Sequence, residues 1–181
     1  MLLAFIAREP ESGYGLKRKF GNSPLGVYRP SPGALYPALR RLLSRGLLTV
    51  EDETPERGRA HRLYRVTDEG RAVHLDWLRQ PVNPGTVAND LGLHLMRFVM
   101  LEDEVGPEQV LSFLGNLADA LDGFVAGMER YLASGAAPDT PHVTLALRHG
   151  IMIHRTSLEW ARSAITALAP SDLAPSDAGR T

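Results

Sequence analysis

Residues 31–46 constrain the fold more than any other segment, because they form one predicted helix with two different faces. Leu35, Leu39 and Leu42 recur at helical spacing and make an apolar stripe that has to be buried. A leucine-anchored helix that presents Tyr and Arg outward suits the major groove of DNA, although any leucine-rich helix with surface arginines has the same pattern. The outward side chains are Tyr36, Arg40, Arg41 and Ser44.

The ends of this helix are marked in the sequence. Ser31 can cap the free amides, and Pro32 suits the first helical position. Gly46 supplies a left-handed stop. Pro37 breaks the pattern, because it removes a backbone donor beyond the first turn. A local rule broken inside a strong pattern is typical of functional positions.

The flanking segments give the order helix, helix, helix, strand, loop, strand, which is that of a winged helix-turn-helix. Residues 2–7 and 12–20 are the first two predicted helices, and residues 47–53 and 62–67 are the strands. The loop 54–61 between the strands would be the wing, although a basic hairpin tip by itself is usually a solvated turn. Its arginines suit phosphates or the minor groove. The predicted DNA contacts are Tyr14, Lys17, Arg18, Ser31, Tyr36, Arg40, Arg41, Arg57, Arg59 and Arg62.

Several motifs in residues 1–80 occur in the order of a known family, and through them the chain resembles the PadR-family transcriptional regulators, in a longer form with an extended C-terminal helical region. Where the family usually has a proline near the end of the wing, this chain has Ala60. The resemblance implies a homodimeric, DNA-binding, usually repressing protein that responds to small molecules. The matching motifs are Ser12–Leu16, Ser31–Leu39, Arg45–Leu48, Arg57–Arg59, Tyr64–Thr67 and Glu69–Gly70.

Charge and composition agree with this interpretation. Residues 1–80 carry a net charge of +5 and residues 81–181 a net charge of −6. This difference suits an N-terminal surface that binds nucleic acid and a C-terminal module that binds a partner, although a chance distribution of charged residues gives the same result. The chain has no cysteine, which excludes disulfides and Cys-based zinc sites. No apolar run approaches the roughly 18 residues of a membrane span, so we expect a cytoplasmic protein.

The C-terminal half is predicted to be helical. A helix over 68–79, which Thr67 can cap, ends before Pro81–Gly85. We take Pro81–Gly85 as the boundary between a DNA-binding domain at 1–80 and a dimerisation domain at 86–168. In two predicted helices of the second domain, apolar residues recur at alternating intervals of four and three residues. The two helices are predicted to form an antiparallel hairpin with wide apolar stripes. A second chain would cover these stripes, and an intramolecular bundle is the alternative. The Pro-, Ser- and Asp-rich tail 169–181 is predicted to be disordered.

A small-molecule effector needs an apolar pocket with a few placed polar groups. Residues of these types are more often ordinary core, and the candidate effector residues are Trp77, Met96, Met100, His154 and Trp160. No pair of histidines has the i,i+4 spacing of a helical metal site, and we expect neither a metal nor a cofactor.

Catalytic motifs are missing from the sequence: there is no Gly-rich phosphate loop, nucleophile elbow or pair of carboxylates in an apolar context. The sequence therefore predicts a non-enzymatic, sequence-specific transcriptional regulator, a repressor that binds an inverted-repeat operator as a homodimer. The alternative is a winged-helix protein-interaction module without specific DNA binding, because the same fold serves both roles.

Overall fold

The computed structural model describes residues 1–21, 32–53, 61–102, 104–138 and 140–169. It confirms the predicted fold class, mainly helical with a small sheet and an N-terminal winged helix-turn-helix. The elements in chain order are α1 (Leu2–Arg8), β1 (Glu11–Ser12), α2 (Gly13–Gly21), α3 (Pro32–Ser44), β2 (Leu48–Glu53), β3 (His61–Val66), α4 (Asp68–Arg79), α5 (Leu91–Leu101), α6 (Pro107–Ala133) and α7 (Pro141–Leu168). The predicted contacts Ser31, Arg57 and Arg59 and the tail from residue 170 lie outside the described residues.

The leucine stripe of α3 is buried, as its periodicity predicts. Leu35 and Leu39 are each 1% exposed, and they belong to one core with side chains from α1, α2 and the sheet. Leu42 is partly buried against the same core. Burial of this face turns the opposite side of α3 to solvent, so the core fixes which residues of α3 a partner can contact.

The sheet is antiparallel with the strand order β1-β3-β2. The sequence analysis did not identify β1, because two residues are too short to show an alternating pattern. Ser12 of β1 pairs with Leu63 of β3, and Glu11 pairs with Tyr64. This pairing brings the start of α2 next to the middle of β3.

The C-terminal end of α3 and the start of α4 have the predicted caps. Gly46 has φ 70°, and the amide of Leu47 donates to the carbonyl of Leu42 at 3.0 Å, which closes α3 with a Schellman motif. The Thr67 hydroxyl accepts from the amide of Gly70 at 3.0 Å and caps α4. The same hydroxyl donates to the carbonyl of Gly46 at 2.7 Å, so the two caps share one hydrogen-bond chain.

Helices α6 and α7 pack together as an antiparallel hairpin. The ion pairs Arg155–Glu129 and Arg162–Asp122 show the antiparallel register, because the position on α6 falls as the position on α7 rises. The buried seam between the helices contains Leu114, Leu117, Leu121, Ile151, Leu158 and Ala161.

The chain divides into two compact units. The first contains Met1–Pro81 and Asn89–Val105, and the second contains Val82–Ala88 and the chain from Gly106 onward. Helix α5 therefore belongs to the first unit, whereas the sequence analysis places it in the 86–168 region. The reason is a buried arginine: Arg97 of α5 donates through Nε to the carbonyl of Leu78 at 3.1 Å and also bonds the carbonyl of Gln80. The dimerisation role of 86–168 stays a prediction.

Helix α6 is long and apolar enough to cross a membrane by length and composition alone. The sequence contains no continuous apolar run of this length, because isolated polar residues interrupt α6, but these residues do not lower its average hydropathy enough to fail the test. Core helices of soluble proteins pass the same test, and α6 buries Phe113, Leu114, Leu117 and Leu121 inside its own unit.

Candidate nucleic-acid interface

One recess lies where the start of α2, the outer face of α3 and the middle of β3 meet, and we refer to it as the α2–α3–β3 recess. It has a volume of about 330 Å³. Aromatic rings and two guanidinium groups dominate its lining, which suits an anionic, partly aromatic ligand such as a nucleic acid. The lining residues are Ser12, Gly13, Tyr14, Tyr36, Arg40, Arg62 and Tyr64.

The predicted contact residues at this recess are exposed. Tyr14 is 69% exposed and Tyr36 is 42% exposed. Arg40 lies on the surface of α3, and Arg62 lies on the surface of β3 with its Nε 3.8 Å from a carboxylate oxygen of Asp52. An ion pair exposed to this degree contributes little, so Arg62 can exchange it for a phosphate.

Other predicted residues do not reach this recess. Arg41 follows Arg40 in α3 and points about 100° away around the helix. It lines a second recess of about 310 Å³ together with Met1, Leu2 and Arg45. Lys17 and Arg18 are exposed on α2, outside the lining of either recess. The DNA-contacting roles of all these residues stay predictions.

Three residues of the recess are not among the contacts predicted from the sequence. Tyr64 is 7% exposed and belongs to the core of the first unit, and Ser12 and Gly13 form the turn into α2. Tyr64, Ser12 and Gly13 occur in the family motifs, but only the pairing of β1 with β3 brings them to one place.

Ser12 caps α2, and a small ionic cluster supports this cap. The Ser12 hydroxyl accepts from the amide of Gly15 at 3.0 Å, and a carboxylate oxygen of Glu11 accepts from the amide of Ser12 at 2.8 Å. Lys19 lies 2.9 Å from the other oxygen of Glu11. Burial alone raises the pKa of Glu11, but the hydrogen bonds from Lys19 and Ser12 and the charge of Lys19 outweigh it and lower the pKa.

The proposed effector residues lie in both units. Met96 and Met100 are each 3% exposed in the first unit, where Trp77 lies with its ring centroid 5.8 Å from the guanidinium of Arg97. Trp160 lies partly buried in the second unit. None of the five candidate effector residues lines any of three recesses on the described part of the chain.

His154 interrupts the apolar seam of the hairpin with both ring nitrogens near backbone acceptors. Nδ1 lies 2.7 Å from the carbonyl of Gly150, and Nε2 lies 3.4 Å from the carbonyl of Ala88. Its ring centroid is 4.7 Å from that of Phe124. This arrangement fits a half-buried histidine that fixes helix register rather than one held open for a ligand.

The family model described as the Transcriptional regulator PadR-like family matches residues 2–75. The transcriptional regulator Rv3488 of Mycobacterium tuberculosis is 56% identical over 46 residues, which cover 25% of this chain and 42% of that protein. The transcriptional regulator YqjI of Escherichia coli is 36% identical over 53 residues, which cover 29% of this chain and 26% of that protein. The chain thus spans less than half the length of either curated relative.

Two solved structures are similar over most of the chain. Bacillus subtilis PadR in complex with operator DNA is 17% identical, with 92% of this chain and 96% of that chain covered and a TM-score of 0.43. The complex of the same protein with p-coumaric acid is 18% identical, with 92% and 95% covered and a TM-score of 0.40. Residues 2–75, which contain the winged helix-turn-helix, thus match the PadR-like family of transcriptional regulators.

Proposed function

We propose that the chain is a sequence-specific DNA-binding regulator that contacts its operator through residues 1–80. The observation that carries this proposal is the α2–α3–β3 recess, where Tyr36 and Arg40 of α3 lie exposed beside Arg62 of β3. Helix α3 would lie in the major groove, with its buried leucines holding it on the domain. Such a surface combines cations for phosphates with planar side chains for base edges.

Each predicted contact has a role in this proposal. Tyr36, Arg40 and Arg41 contact base edges or flanking phosphates, and each good base contact is worth about 1–3 kcal/mol of discrimination. Phosphates on either side of the groove are held by the remaining set, which is Tyr14, Lys17, Arg18, Ser31, Arg57, Arg59 and Arg62.

The proposal includes a homodimer that forms through the second unit. The α6–α7 hairpin exposes large apolar side chains that its own seam does not cover, and a second copy would bury them. Two reading helices related by a two-fold axis would enter successive major grooves about 34–36 Å apart, so the operator would be an inverted repeat. The exposed apolar side chains are Tyr131, Leu145, Met152, Ile153 and Leu168, with exposed fractions of 45%, 63%, 65%, 44% and 47%.

We further propose that the regulator is a cytoplasmic repressor that a small molecule releases from DNA. The family resemblance supports repression, and the p-coumaric acid complex of Bacillus subtilis PadR supports small-molecule control. A recess of about 510 Å³ between residues 82–85 and α6 in the second unit has the size of an effector site. The effector must prefer the chain conformation that does not fit the operator, because equal affinity for both states shifts nothing. No catalytic activity is proposed, because the family is one of transcriptional regulators.

The test is selection of duplexes from a randomised DNA pool by the wild-type protein, followed by fluorescence-anisotropy titration of the enriched duplex and a scrambled one. We expect tight binding of the enriched duplex and a steep loss of affinity between about 50 and 200 mM salt. Arg62→Ala should weaken binding, whereas Arg79→Ala, which removes an exposed cation at the end of α4, should not. Absence of any enriched duplex, with no binding at low salt, would favour the protein-interaction module instead.

A further inference from the structure

Gly13 is the first residue of α2, and its Cα lies directly against the ring of Tyr36. A Cβ added at Gly13 would lie 2.8 Å from Cε1 of Tyr36 and 3.5 Å from its hydroxyl oxygen. The shorter distance is well inside van der Waals contact, which begins near 3.5 Å between carbon atoms. The ring can therefore occupy this position only because residue 13 has no side chain.

The backbone conformation does not require glycine at this position. Among the described residues, positive φ values occur only at Gly46 and Gly135, so Gly13 has a conformation that any residue can adopt. Gly13 is the first residue of α2, where neither the backbone conformation nor helix propensity calls for glycine. Close approach of the Tyr36 ring is the physical reason that the structure offers for it.

The contact limits where the Tyr36 side chain can lie. Tyr36 extends from the outer face of α3 and lines the α2–α3–β3 recess together with Arg40 and Arg62. Tyr14 lines the same recess at 69% exposure, against 42% for Tyr36. Side chains that are ordered before binding lose less conformational entropy on binding, so a fixed Tyr36 contributes more affinity and more discrimination than a mobile one.

We propose that Gly13 is a positioning residue of the DNA interface, which holds the Tyr36 ring so that its hydroxyl contacts the operator at the recess. The inference rests on the proposed DNA-binding function and names a determinant of its specificity. Replacement of Gly13 by alanine would push the ring away from α2. The fold would remain intact, because the atoms that must move lie at the free end of a flexible side chain.

The test is a double-mutant cycle of Gly13→Ala and Tyr36→Ala, read by anisotropy with the enriched and scrambled duplexes. We expect Gly13→Ala to weaken binding of the enriched duplex about tenfold, the effect of losing one contact of about 1.4 kcal/mol, and to weaken the scrambled duplex much less. In the Tyr36→Ala background, Gly13→Ala should have no further effect. Gly21→Ala is the matched control, because a Cβ at this other end of α2 meets no atom of the described residues within 4 Å.

Two results would overturn the inference while leaving the proposed function intact. One is a Gly13→Ala protein that binds the enriched duplex as tightly as the wild type does. The other is an equal loss of binding in both backgrounds with a lower melting temperature, which would make Gly13 a residue of the fold alone. Failure of the wild type itself to bind any duplex would instead refute the proposed function, and the role of Gly13 with it.

Discussion

His74 makes the stability of the first unit depend on pH. It lies on α4, is 2% exposed, and its ring stacks on Trp77 at a centroid distance of 6.1 Å. Burial lowers the pKa of His74 from 6.5 to about 4, and the positive charges of the N-terminal amine, Arg71 and Arg8 act in the same direction. The folded chain therefore keeps His74 neutral at pH values at which the unfolded chain protonates it.

The sign and size of the effect follow from these two pKa values. Between pH 6.5 and about 4 the unfolded state binds more protons than the folded state does. The contribution of His74 to the free energy of unfolding is therefore complete above pH 6.5 and is lost as the pH falls toward 4. At 1.36 kcal/mol for each pKa unit, lowering the pH from about 7.5 to about 4.5 removes about 2.5 kcal/mol from the free energy of unfolding.

The measurement is urea unfolding of the wild type and of His74→Leu at both pH values, followed by circular dichroism. Other groups titrate in this range, so the informative quantity is the difference between the two proteins. The stability lost on acidification should be about 2.5 kcal/mol smaller in His74→Leu than in the wild type. An equal loss in both proteins, within about 0.5 kcal/mol, would refute the argument that His74 is buried in its neutral form.

Three further predictions concern the core, the interface and the dimer. Leu39→Ala removes a side chain that is 1% exposed and should lower the free energy of unfolding by about 2–5 kcal/mol in a urea titration, whereas Leu145→Ala, at 63% exposure, should change the monomer little. Arg40→Ala should narrow the affinity gap between enriched and scrambled duplexes, and Arg62→Ala should weaken both alike; equal losses for Arg40→Ala would contradict its base-reading role. Met152→Asp should shift the chain toward monomer in sedimentation equilibrium, and an unchanged dimer would place the interface elsewhere.

The sequence predicts α3 and α4 well, because the residues that determine each helix lie within it or next to its ends. The leucine spacing gives the buried face of α3, and Gly46 and Thr67 mark an end and a start that the structure reproduces. Local signals do not say which neighbour an apolar helix packs against. Helix α5 joins the first unit through the hydrogen bonds of Arg97 to carbonyls at the end of α4, and such a contact has no signature in the sequence.

The candidate site shows the same division between local and tertiary information. Helical geometry is enough to predict that Tyr36 and Arg40 face outward. Their convergence with Arg62 depends on the packing of α3 in the core of the first unit, and the pairing of the two-residue strand β1 with β3 brings the start of α2 beside them. The contact of Tyr36 with Gly13 depends on the same packing. The need for a glycine at position 13 therefore cannot be predicted from the sequence.

DNA binding by the wild type is the most direct test of the proposed function. The measurement is the affinity of the wild type for its enriched duplex and for a scrambled duplex at physiological salt, together with the binding stoichiometry. We predict an inverted repeat with half-sites about one helical turn apart, two chains bound per duplex, and an affinity ratio of at least about 10³. Equal affinity for both duplexes, or no binding to either, would contradict the assignment of this chain as a sequence-specific regulator.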